Sequence, residues 1–80
     1  MQDLPELDEL LAYQRRARML PPPSVRRLLR VRAGISVRQL AGAIGVSPAA
    51  VSRWETGLRR PRGATLETYS AALERLAAER

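Results

Sequence analysis

Between Gly34 and Gly57 the chain reads GISVRQLAGAIGVSPAAVSRWETG, and this stretch limits the possible folds more than any other. At about 100° per residue, Val37, Leu40, Ala41 and Ile44 fall on one side of a short helix and Arg38 and Gln39 on the other. The spacing predicts a helix from Val37 to Ala43 with Ser36 as its cap. Gly45 takes a left-handed backbone at low cost, Val46 turns back towards the core, and Ser47-Pro48 opens another helix, with Ser as N-cap and Pro at its first position. On that helix, which ends at Gly57, Ala50, Val51 and Trp54 share one face while Pro48, Ala49, Ser52 and Arg53 share the opposite one. Two short helices joined by a tight glycine turn, with small Ala41 where they cross, make a helix-turn-helix over about residues 37–56. By its spacing from Val51, Trp54 reads as core.

The remainder is helical in pattern, giving an all-α chain of five helices. Asp3-Leu4-Pro5-Glu6 has the form of a helix start with Asp3 as N-cap, and Leu4, Leu7, Leu10 and Leu11 form a stripe on a first helix running to about Met19. That stripe must be buried, against the rest of the domain or against a second copy of itself. Pro21-Pro22-Pro23 follows as a stiff spacer. Ser24 to Ala33 then reads as a second helix with Val25, Leu28 and Leu29 inward, Arg26, Arg27 and Arg30 around the rest, and Gly34 as its C-cap. A basic loop, Leu58 to Gly63, leads to a last helix from Ala64 to about Glu79, with Leu66, Tyr69, Leu73 and Leu76 at helical spacing. The expected organisation is an N-terminal amphipathic helix over 1–20, a proline linker over 21–23 and a helix-turn-helix domain over 24–80.

Charge narrows the function. The 80 residues carry 14 basic and 8 acidic groups, a net +6, and every basic residue is arginine. A GC-rich coding bias is the weightier reason for arginine, although its planar donor fork also suits phosphate and guanine edges. Nine arginines against one glutamate lie between residues 20 and 62, while both ends are slightly acidic. Such a concentrated positive patch is the footprint of a polyanion, most often nucleic acid. Having neither cysteine nor histidine, the chain lacks the usual transition-metal ligands and any thiolate, and no nucleophile–base pair can be read from it. No metal, no cofactor and no enzymatic activity are expected, nor a small-molecule ligand. With no run long enough to span a membrane and an acidic start unlike a signal peptide, the expected location is the cytoplasm.

With GISVRQLAGAIGVSPAAVSRWETG and the flanking LLRVRAG and RRPRG, the chain resembles the phage-repressor class of helix-turn-helix proteins, the Cro/cI-like or XRE family, over about residues 24–76. The resemblance implies a lambda-repressor-like domain, here with an extra N-terminal helix, that regulates transcription, as a repressor, by placing the helix over 47–56 in the major groove of double-stranded DNA. Ala41, Gly45, Val51 and Trp54 match the family's structural positions. Its base-reading positions fall on Pro48, Ala49, Ser52 and Arg53: Arg53 to donate two bonds to guanine, Ser52 to bond a base edge or phosphate, Ala49 to touch a thymine methyl. Backbone contacts are implied near Ser36 and Ser47, where helix N-termini present free amides, and at Arg59, Arg60 and Arg62 in the basic loop. Many relatives place Gln where this chain has Val37, so Arg38 is the candidate to replace that contact. The resemblance also implies that Glu55 pairs with an arginine on the helix before Gly34, and the matching residue is Arg30.

One recognition helix reads only a few base pairs, so a homodimer on DNA is expected, made through the first or last helix because the chain leaves no room for a separate dimerisation domain. The alternative is an antitoxin-like protein-docking module using the N-terminal leucine stripe.

Overall fold

The computed structural model describes residues 2–79 as five helices, with no strand among the described residues: α1 (Pro5–Met19), α2 (Pro23–Arg32), α3 (Val37–Ile44), α4 (Pro48–Thr56) and α5 (Gly63–Ala78). The core lies where α2 to α5 meet. Leu40 and Ala41 from α3, Val51 and Trp54 from α4, and Tyr69, Leu73 and Leu76 from α5 are buried together, with Leu20, Leu29, Ile35, Val37 and Ile44 half-buried around them. Trp54 and Tyr69 stack obliquely, with ring centroids 4.7 Å apart and planes at 43°.

Local sequence explains each junction in the motif. Ser36 and Gln39 form a reciprocal capping box at the start of α3: the Gln39 N–H donates to Ser36 Oγ at 3.0 Å and the Ser36 N–H donates to Gln39 Oε1 at 2.8 Å. Gly45 closes α3 at φ 76°, a region that costs any residue with a Cβ. The Val46 N–H then returns to the Ala41 carbonyl at 3.0 Å. Ala41 is only 1 % exposed, in the most extensive helix–helix contact of the molecule, that of α3 with α4. Ser47 Oγ accepts from the Ala50 N–H at 3.1 Å and opens α4. At the end of α4 Gly57 has φ 79°, and a Cβ there would also lie 3.4 Å from the Pro23 ring.

Outside the motif several boundaries differ from expectation. The N-cap of α1 is Leu4, not Asp3, with no side-chain cap, and Pro5 as the first helical residue sets the start instead. Pro23 is the first residue of α2, so the extended spacer is Pro21-Pro22; its lack of an N–H is harmless there. The cap of α2 is Ala33, with Gly34 following at φ 73°. There the Gly34 and Ile35 amides donate to the Val31 and Arg30 carbonyls, a Schellman turn.

Two expected apolar faces are not buried. Val25 and Leu28 are exposed, since α2 turns Leu29 and Arg30 towards the core and leaves Leu28 and Val31 each 52 % exposed. Leu4 and the three leucines of α1, Leu7, Leu10 and Leu11, are exposed as well, and α1 contains no buried residue. Its inner face is instead built from Ala12, Tyr13 and Ala17, with Leu20 just beyond. Tyr13 Oη donates to the Pro61 carbonyl at 3.0 Å, and Arg16 pairs with Glu67 at the surface. These contacts run α1 alongside α5 in the same direction, and among the described residues none before Ala12 is even half-buried.

Candidate nucleic-acid interface

The inner face of α4 is fixed to α2 by two arginines one helical turn apart. Arg30 makes a bidentate pair with Glu55, Nε to Oε2 at 2.6 Å and Nη2 to Oε1 at 2.9 Å, and its Nη1 donates to the Ile35 carbonyl at 2.9 Å. Both side chains are buried, 10 % and 4 % exposed. The Glu55 hydrogen bond raises the Arg30 pKa against the opposing effect of burial. Arg26 donates from Nη1 to the Trp54 carbonyl at 3.0 Å and from Nε to the Pro21 carbonyl at 2.7 Å. Burial lowers the Arg26 pKa, with the nearby Arg60 charge adding to the effect. One arginine therefore meets the carboxylate of α4, and the other its last-turn carbonyl and the spacer before α2. α4 is held by charge as well as by packing.

With Val51, Trp54 and Glu55 turned inward, α4 presents Pro48, Ala49, Ser52 and Arg53 outward, all four exposed. Arg53 carries no hydrogen bond from its guanidinium to any described residue, while its backbone carbonyl accepts from Thr56 Oγ1 at 3.2 Å and from the Arg59 N–H at 3.3 Å. That second bond ties the basic loop to α4. Pro61 is buried beneath the loop, which leaves Arg59, Arg60 and Arg62 exposed around it. Arg38, Arg53, Arg59, Arg60 and Arg62 form no salt bridge with any described residue. Five uncompensated guanidinium groups on α3, α4 and the loop between α4 and α5 are the field that a phosphate backbone would neutralise.

The free amides differ between the two helix starts. The Ser36 and Gln39 amides are spent on the capping box, which leaves those of Val37 and Arg38 open at the start of α3. At α4, Pro48 has no N–H and the Ala50 amide is held by Ser47 Oγ, so the amides of Ser47 and Ala49 are the open donors. Ser36 thus acts through cap geometry, with the open donors one and two residues after it, whereas Ser47 caps α4 and keeps its own amide open. Val37 packs against the core, so no polar side chain projects at the first position of α3.

Sequence reasoning missed Arg26, Tyr13 and Gln39 as positioning residues. Gln39 was detectable, since Ser-x-x-Gln before an apolar run is a capping signature. Arg26 lies four residues before Arg30 and hence on the same helical face. For Tyr13 no local signal exists, because its partner is a backbone carbonyl 48 residues away.

The helix-turn-helix family model matches residues 27–78 of the chain. This protein belongs to that family, the XRE/Cro-like DNA-binding transcriptional regulators, and its polyanion partner is double-stranded DNA. Searches of curated proteins and of solved structures return no match. The family match begins at Arg27, so α1, the proline spacer and Arg26 lie outside it.

Proposed function

We propose that the protein is a sequence-specific repressor that inserts α4 into the major groove and binds its operator as a homodimer. The observation that carries this reading is the division of α4 into two faces: one locked inward by Trp54 and the Arg30–Glu55 pair, the other offering Ser52 and an unpaired Arg53 beside small Pro48 and Ala49. Arg53 reads guanine through a bidentate contact and Ser52 bonds a base edge or a phosphate. Ala49 allows close approach to a thymine methyl. Arg38, Arg59, Arg60 and Arg62, with the open amides after Ser36 and Ser47, hold the backbone and set the register. With so few hydrogen-bonding groups on the reading face, DNA shape supplies part of the selectivity. Such a regulator works on the nucleoid, in the cytoplasm.

The test is selection from randomised duplexes, followed by titration of the enriched sequence at two salt concentrations. Arg53→Ala is expected to cost about 1–3 kcal/mol and to relax preference at one base pair. Arg59→Ala is expected to weaken all sequences alike and to reduce the salt slope by about one. Equal loss on every sequence from Arg53→Ala overturns the reading role of Arg53.

A second reading, a module that docks a protein partner through α1, is supported by the exposure of Leu4, Leu7, Leu10 and Leu11. Salt separates the two: DNA affinity falls steeply as salt rises, whereas apolar docking hardly changes.

A further inference from the structure

The outer face of α1 has no counterpart within its own chain. Tyr13, Ala17 and Leu20 occupy the side turned to the body, and at about 100° per residue Leu4, Leu7 and Leu11 fall on the opposite side. Continuing along that outer side, Gln14, Arg15 and Arg18 follow towards the C-terminal end, and Asp3 and Asp8 flank the leucines at the N-terminal end. All of these residues are exposed, and neither Asp3, Asp8, Arg15 nor Arg18 forms a salt bridge with a described residue. The strip is therefore apolar in the middle, acidic at one end and basic at the other.

We infer that α1 is the dimer contact, pairing antiparallel with α1 of a second copy so that Leu7 meets the second copy's Leu11 and Asp3 meets its Arg15. A twofold axis through an antiparallel helix pair makes each of these contacts occur twice. In that register Leu4 lies over the second copy's Gln14. The helix dipoles also oppose favourably.

Charge selects this occupant over the others. In a parallel pair, Asp3 and Asp8 face their own copies and so do Arg15 and Arg18, which is repulsive at both ends. The exposed strip of α2, with Leu28 and Val31 between Arg27 and Arg32, suits the acidic end of α1 but repels its arginine end. A foreign partner of one charge sign satisfies only half of the face, whereas a second copy sets an Asp3–Arg15 pair at each end of the contact. The contact is small. One strip of three leucines per copy falls below the roughly 1,200 Å² of standard interfaces. The pair is accordingly weak in free solution and strengthened when two copies share one duplex, where their effective concentration rises.

The chain contains no cysteine, so introduced thiols report proximity directly. The experiment is disulfide trapping of the full chain carrying Leu7→Cys, Leu11→Cys or Leu28→Cys, singly and as equimolar mixtures, without DNA and then with a nonspecific duplex. Helical circular dichroism confirms that each variant folds. The expected result is a disulfide between positions 7 and 11 at least about fivefold more abundant than either homodisulfide relative to random pairing, abolished by Asp3→Arg and restored by combining Asp3→Arg with Arg15→Asp. Asp3 precedes α1 and Arg15 lies about 15 Å along the helix from its first residue, so restoration requires pairing between chains. Dominant pairing of position 7 with itself means a parallel contact, and trapping through position 28 means that α2 is the contact. Statistical trapping means that the strip serves another partner. Each of these outcomes overturns the inference. The arm without DNA is read whether or not the DNA-binding proposal holds, so the two fail separately.

Discussion

α1 and α3 are both amphipathic, yet α3 buries Leu40 and Ala41 to 5 % and 1 % exposure while α1 leaves Leu7 and Leu11 at 46 % and 49 %. The difference lies in what each helix meets. α4 begins four residues after α3 ends and lies across its apolar side, so the stripe is covered locally. α1 reaches the body through a proline spacer and uses Tyr13, Ala17 and Arg16 against α5 and its preceding loop, which leaves the leucines on the far side. A stripe at helical spacing predicts that a face exists. Only a complementary surface within reach decides whether it is core.

The largest effects that sharpen this contrast lie in the motif. Trp54→Ala removes the indole that packs on Tyr69 and is expected to cost about 3–5 kcal/mol, a large share of the stability of an 80-residue domain. Thermal or urea unfolding measures it, and a loss under about 1 kcal/mol would place the indole outside the core. Glu55→Ala strands the buried Arg30 charge and is expected to cost roughly 3–5 kcal/mol. The double change Arg30→Met with Glu55→Leu is expected to cost much less, because both charges leave together. A double mutant that is as unstable as Glu55→Ala would mean that the pair contributes net stability.

Tyr69 gives the next effect, and it appears at high pH. Its side chain is fully buried, its hydroxyl has no hydrogen-bond partner in the structure, and burial together with the Glu55 charge pushes its pKa from 10.0 up to about 12. The unfolded chain therefore loses this proton before the folded one does. The stabilisation is complete below pH 10 and is lost as pH rises towards about 12, at most roughly 2–3 kcal/mol across that window. Tyr69→Phe should flatten this alkaline limb. At neutral pH it should be neutral or stabilising by up to about 1 kcal/mol, since it removes a buried hydroxyl that bonds nothing. A clear loss at neutral pH would reveal a partner for the hydroxyl.

The sequence made the helix-turn-helix legible because its constraints are local: Ser36 and Ser47 cap, Gly45 turns, and Leu40, Ala41, Val51 and Trp54 meet within a span of 15 residues. The same locality exposed the α4 outer face, since the positions left after assigning Val51 and Trp54 inward are few. What periodicity could not supply was the choice between competing faces. On α2 the pattern offered Val25 and Leu28 to the core, but the buried carboxylate of Glu55 draws Arg30 inward, and the helix turns its leucine strip to the outside. That choice was made 25 residues away. The Tyr13 contact with a backbone carbonyl was illegible for the same reason, because a carbonyl has no residue identity.

The smallest effect is the sharpest test of the two helices, because it applies one substitution to one residue type. Leu40→Ala empties a buried site and is expected to cost about 2–5 kcal/mol. Leu7→Ala removes the same atoms from a side chain already 46 % exposed and, in dilute protein, should stay within about 0.5 kcal/mol. Measured by urea unfolding over a dilution series, Leu40→Ala is expected to cost the same at every concentration, since its neighbours are all in its own chain. The cost of Leu7→Ala should grow with concentration as the α1 strip becomes covered by a second copy, because anything that binds only the folded state stabilises it by mass action. A cost above about 2 kcal/mol for Leu7→Ala at the lowest concentration would mean that α1 folds its leucines onto its own domain, and the contrast between the helices would disappear.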